Sequence, residues 1–118
     1  MSKYIEYILA LALILLWVGT VYAGMPAART GDMHVCPMVT GLVPHVGGPI
    51  LNCSPDVIIC GMPAARVGCQ ATCVGPPDAL VLGSATVLIN GMPAVRLGDV
   101  TAHGGSVTAG CYTVLIGG

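Results

Sequence analysis

The sequence predicts an all-β body of three β-hairpins related by pseudo-threefold symmetry, and two observations carry that reading. A nine-residue unit occurs three times, as Gly24-Met-Pro-Ala-Ala-Arg29-Thr-Gly-Asp32, Gly61-Met-Pro-Ala-Ala-Arg66-Val-Gly-Cys69 and Gly91-Met-Pro-Ala-Val-Arg96-Leu-Gly-Asp99. Its flanks repeat too: Val57-Ile-Ile-Cys60 leads into the second copy, Val87-Leu-Ile-Asn90 into the third, and Val114-Leu-Ile-Gly117 stands near the C-terminal end. The first copy has no such lead-in, so the C-terminal run is placed to complete it. The alternative is an ordinary small β-sandwich whose repeats are relics of duplication.

Each unit reads as a short β-branched strand, a two-residue turn at Cys60-Gly61 or Asn90-Gly91 with glycine free to take positive φ, and a second strand. Pro26, Pro63 and Pro93 lack a backbone donor and suit an edge or the residue just after a turn. One hairpin is marginal alone, so the three must bury their apolar faces against one another.

Composition agrees. Among 118 residues, 17 Gly and 9 Pro argue for turns and against long soluble helices. Only 8% are charged, with a net charge of -1, against roughly 25% charged in ordinary domains. That balance excludes a disordered charged tail and a polybasic nucleic-acid binder.

Residues 1–24 stand apart from the repeat domain at 25–118. From Ile5 to Ala23 the chain is apolar except for Glu6, Gly19 and Thr20. Three readings fit: a hydrophobic helix that crosses a membrane, a signal peptide cleaved after Val21-Tyr22-Ala23, or an over-long start upstream of Met25.

The histidines His34, His45 and His103 all lie in Gly/Pro-rich segments outside the repeated strands, where side chains can converge. Three imidazoles and one thiolate would complete a tetrahedral zinc site. Six cysteines offer alternatives. Cys69 and Cys73 have a zinc-compatible spacing, and four residues past the Asp32, Cys69 and Asp99 position stand Cys36, Cys73 and His103, metal-capable at equivalent places. A ligand set using Cys36 or Cys73 is therefore open, while Cys53 and Cys60 are expected to pack as free thiols. Disulfides are unexpected in a reducing cytoplasm and plausible after export.

Arg29, Arg66 and Arg96 recur at one position, with Asp32 and Asp99 three residues on and Cys69 in place of the third carboxylate. The expected role is to fix the turn at the strand end; the alternative places them around a docking face. No G-x-S-x-G context, paired carboxylates or phosphate loop points to an enzyme.

From Gly24 to Gly118 the sequence resembles the proline-alanine-alanine-arginine (PAAR) repeat family. The resemblance rests on Pro26-Ala27-Ala28-Arg29, Pro63-Ala64-Ala65-Arg66 and Pro93-Ala94-Val95-Arg96. Gly31-Asp-Met-His34-Val-Cys-Pro37, Val43-Pro-His45-Val-Gly-Gly-Pro-Ile50, Thr101-Ala-His103-Gly-Gly105 and Gly110-Cys111 extend it. It implies a small cone that tips a type VI secretion spike, its base capping a trimeric valine-glycine repeat (VgrG) protein, one copy per trimer, and its apex holding structural zinc. The ligand set implied is His34, His45, His103 and Cys111. Larger relatives carry toxin domains after the closing strand, so a chain ending at Gly118 is expected to sharpen the spike and to recruit effector cargo non-covalently. Assembly in the bacterial cytoplasm and delivery by the machine would follow. The competing function is a membrane-bound or exported zinc protein of the same fold.

Overall fold

The computed structural model describes residues 24–118, and the helix, signal-peptide and late-start readings of residues 1–24 lie almost wholly outside them. Among the described residues no helix is long and apolar enough to cross a membrane. The described residues are all-β. The strands are β1 (Met25–Ala27), β2 (Met33–Thr40), β3 (Val43–Pro49), β4 (Ser54–Ile59), β5 (Met62–Ala64), β6 (Gln70–Ala71), β7 (Asp78–Ala79), β8 (Leu88–Ile89), β9 (Met92–Pro93), β10 (Ser106–Val107) and β11 (Cys111–Ile116).

Three antiparallel pairs are the three repeat units. β4 pairs with β5 and β8 with β9, and β11 closes onto β1 with Met25 opposite Ile116 and Pro26 opposite Leu115. The C-terminal run thus completes the first unit, as the out-of-phase repeats imply. At the two tight turns both central residues take positive φ, 48° and 79° at Cys60-Gly61 and 52° and 79° at Asn90-Gly91. That geometry follows the twist of the flanking strands.

The units close on one another through backbone bonds. Ala28 N donates to Val95 O (3.0 Å), Val95 N to Ala65 O (3.1 Å) and Ala65 N to Ala28 O (3.0 Å), a ring of three. A second ring uses the proline carbonyls: Thr30 N donates to Pro63 O, Val67 N to Pro93 O and Leu97 N to Pro26 O, at 2.8–2.9 Å. Proline has no donor to contribute, but its carbonyl still carries one bond to the next repeat. The residues after each unit repeat the scheme, with Gly31 N bonded to Ile50 O, Gly68 N to Leu80 O and Gly98 N to Val107 O.

Two apolar clusters share this correspondence. One joins Ala28, Ala65 and Val95 to Ile50, Leu80 and Val107; the other joins Ala27, Ala64 and Ala94 to Ile59, Ile89 and Ile116. Small side chains suit the place where the three repeats meet, Ala27, Ala28, Ala64, Ala65, Ala94 and Val95, because a much longer one at a fully buried ring position would push the rings apart.

Three equivalent seams hold the hairpins side by side, each with different chemistry. Cys60 is disulfide-bonded to Cys111, Asn90 Nδ2 donates to Asp56 Oδ1 at 2.9 Å, and Ser84 Oγ donates to Gly117 O at 2.6 Å. A second disulfide joins Cys53 to Cys69. The expectation of free thiols at Cys53 and Cys60 is thereby corrected. Threefold closure brings residues 60 and 111 within 6.3 Å Cα to Cα, within bridging reach, although they are far apart in sequence. Cys36 and Cys73 are the free thiols.

Arg29 and Arg96 serve the turns. Each guanidinium makes a paired contact to the carboxylate three residues on, Asp32 or Asp99, at 2.9–3.1 Å, and that carboxylate also accepts the arginine's own backbone N–H at 2.8 Å. In the second unit Cys69 replaces the carboxylate. Its sulfur faces Arg66 N at 3.4 Å and is covalently tied to Cys53, while Arg66 Nε turns to Ser54 Oγ at 3.0 Å.

Ala65→Leu is expected to destabilise the fold by about 1–3 kcal/mol through overpacking at the ring. Urea unfolding followed by circular dichroism checks this, the expected outcome being a lower midpoint with an unchanged slope.

Candidate metal centre

Equivalent positions in the three units are joined by inserts of unequal length: residues 33–49, which form the β2–β3 hairpin, residues 70–79, and residues 100–106. β10 adds to that hairpin, so the three-stranded sheet runs β10-β2-β3. All three inserts supply side chains to one point. Cys36 of β2, His45 of β3, Cys73 after β6 and His103 before β10 offer ligand atoms that lie within 4.8 Å of one another.

Local structure explains each placement. Along β2, His34 and Cys36 are two residues apart and share the buried face. Past Cys36 the register slips: Cys36 faces Val46 and Val39 faces Pro44, so Pro37 and Met38 stand opposite His45 alone. Such a bulge re-aims side chains, and Pro37 tolerates it because it owes the ladder no N–H. Beside His45, Val46 is held at φ 66°, a conformation that β-branched residues avoid and that marks constrained sites. His103 sits in a tight turn where Gly104 N donates to Thr101 O at 3.0 Å. The next residue must be glycine, since a Cβ on Gly105 would collide with Val35 O.

The donor geometry suits a tetrahedral ion. Cys36 Sγ is 3.5 Å from His103 Nδ1, and ligands at about 2.3 Å for sulfur and 2.0–2.1 Å for nitrogen around a tetrahedron stand roughly 3.5 Å apart. His45 Nδ1 is buried without a partner, while its Nε2 is satisfied by Thr40 Oγ1 at 2.6 Å. A buried, unpartnered ring nitrogen in a group with two thiols and a second imidazole fits a metal ligand. A cavity of about 260 Å³ lined by Thr40, Val43, His45, Val74, Gly75 and Pro76 gives access to His45.

Burial, and then the neighbouring Cys36, push the Cys73 thiol up to about 11. A metal must therefore displace a proton to gain that thiolate.

Of the four ligands expected from the resemblance, the structure brings His45 and His103 to this point and places the other two elsewhere. His34 lies on the same face as Cys36 but one step back, its Nδ1 2.7 Å from Gly48 O and its Nε2 3.2 Å from Asp78 Oδ2. Cys111 belongs to the hairpin body, packed in the Ile59–Ile89–Ile116 cluster and bonded to Cys60. Beside His45 and His103 stand Cys36 and Cys73. The signal for both was the repeat itself, because Cys36, Cys73 and His103 occupy equivalent positions that the threefold closure makes convergent.

The family model for the PAAR motif matches residues 40–109, more than half of the chain, and the protein belongs to that family. The motif is associated with type VI secretion spike tips, and its members bind metal. No curated protein matches the chain.

Two outcomes test the cluster. Cys73→Ser or His45→Ala should abolish stoichiometric metal as read by elemental analysis of the purified protein, whereas Cys111→Ser should retain it. Chelator competition should show apparent affinity falling as pH falls, about tenfold per unit for each proton displaced.

Proposed function

We propose that the protein is the structural tip of a type VI secretion spike, a small cone whose base caps a trimeric VgrG-like protein, one copy per trimer, and whose apex is stiffened by zinc. The observation that carries this is the equality of the three units on the surface. Ile58, Leu88 and Leu115 occupy equivalent positions and are 57%, 60% and 54% exposed; Met25, Met62 and Met92 are 39%, 40% and 37% exposed. A monomer that repeats the same apolar side chains three times to the same degree matches a threefold partner, and no ordinary solvent-facing surface calls for that repetition.

Zinc is favoured by the donor set. Two thiolates and two imidazoles form a closed structural shell that leaves no position for a hydrolytic water, so the role is mechanical and not catalytic. Bound there, the ion would tie the three inserts together at one end of the body. Cargo would associate non-covalently, with assembly in the cytoplasm before delivery. A second reading, an exported or membrane-associated zinc protein without a spike, draws support from the two disulfides, which suit an oxidising compartment.

Mixing the full chain with a trimeric spike protein and measuring mass by light scattering distinguishes the two. One copy per trimer is expected, and Leu88→Asp should weaken binding at least about tenfold, or ~1.4 kcal/mol. Absence of a complex, or three copies per trimer, sinks the tip role.

A further inference from the structure

Asp78 and His34 are fully buried charged or chargeable side chains that the metal cluster does not use. Removing a carboxylate from water is costly unless its oxygens are satisfied. Asp78 Oδ1 accepts the backbone N–H of Ala79 at 2.8 Å and of His103 at 2.9 Å. The same oxygen lies 3.8 Å from His103 Nδ1; Oδ2 lies 3.2 Å from His34 Nε2, an ion-pair approach in which neither atom has a hydrogen-bond partner. On the far side of its ring, His34 Nδ1 donates to Gly48 O at 2.7 Å.

These contacts trace one line through three ligand-bearing elements. Gly48 is on β3, three residues from His45; His34 is on β2, two residues from Cys36; Asp78 holds the backbone of His103 itself. Outside this line stands only Cys73, attached through Val74 N to His45 O at 3.3 Å. A fully buried carboxylic side chain set between the elements that carry the cluster calls for a role beyond filling space.

We propose that His34 and Asp78 are positioning residues that hold Cys36, His45 and His103 in liganding geometry before an ion arrives, so that the metal binds a preformed site. The inference rests on the reading of the cluster as a metal site. Ligand histidines are commonly fixed by carboxylates and carbonyls behind them, and loss of such a partner costs about 10–100-fold in metal affinity. Here the partner grips the ligand's backbone, and the grip extends through a third histidine to the other two strands.

The test compares full-length wild type, Asp78→Asn, His34→Gln and Ile89→Ala, the last a core truncation remote from the cluster. Zinc affinity is read by chelator competition, site geometry by the absorption spectrum of the cobalt(II)-loaded protein, and metal-free stability by urea unfolding. About 10–100-fold weaker zinc binding with a changed cobalt spectrum is expected for both positioning variants. Ile89→Ala should lose stability yet keep wild-type affinity and spectrum. If Asp78→Asn does not fold, His34→Gln carries the same comparison. Wild-type affinity and spectrum in the variants would overturn the proposal, as would an equal loss of affinity in Ile89→Ala. Failure of wild type to bind either metal would instead overturn the reading of the cluster.

Discussion

The ring of backbone hydrogen bonds through Ala28, Val95 and Ala65 constrains everything built around it. Each bond joins a different pair of repeats, and three such bonds close only if each repeat is turned against the next by about the same angle. The ring positions are fully buried, so their N–H groups have no water to fall back on, and each bond lost would leave an orphaned donor at a cost of about 1–3 kcal/mol. The close approach of the three repeats keeps the ring residues small, alanine at Ala28 and Ala65 and valine at Val95. It also explains why a proline can precede them in every copy, since the carbonyl of each proline is in use and the missing donor is not.

From that closure the rest follows in two directions. Toward the hairpins, the lead-in strands and the Met-Pro-Ala strands lie side by side, their inner isoleucines meet, and their outer residues come out equally exposed. The seams between them are less alike, because an Asn–Asp bond, a Ser–carbonyl bond and a disulfide are three chemical solutions to one geometric gap. Away from the hairpins, the same angle directs the starts of three unequal inserts toward one another. Residues four past the turn therefore meet whatever the length of the insert, and Cys36, Cys73 and His103 are brought together by the symmetry while His45 is added by the one insert long enough to fold back.

The repeat made the hairpins legible in the sequence, down to the closing of the C-terminal run onto β1 and the positive φ of Gly61 and Gly91. Cys60 was harder, since cysteine gives no local signal for a left-handed conformation. The inserts left little trace. β6, β7 and β10 are two residues long, too short for any period, and β2 carries a bulge that interrupts its alternation. At the site, spacing alone could not separate His34 from Cys36, because both point inward from one strand. Only the register with β3 and the place of Asp78 decide which of them reaches the ligand point. The disulfides were illegible for a related reason: residues 60 and 111 approach each other only after all three repeats have closed.

Cys69 shows how far one position can drift while the scaffold holds. Where Arg29 and Arg96 are fixed by a carboxylate that takes the backbone N–H and the guanidinium together, the second unit has a sulfur, a poor acceptor at 3.4 Å. Loss of the ion pair is offset by a bond to Cys53 and by Ser54, which receives Arg66 Nε. The covalent link spans a 16-residue separation, for which loop-closure entropy gives about 3 kcal/mol. A part-exposed Arg–carboxylate pair is commonly worth only ~1 kcal/mol. The substitution that breaks the repeat therefore need not weaken the unit, provided the thiols are oxidised. Cys69 also precedes Cys73 by four residues, so the disulfide anchors the base of the insert that carries the one cluster residue outside the His34–Asp78 line.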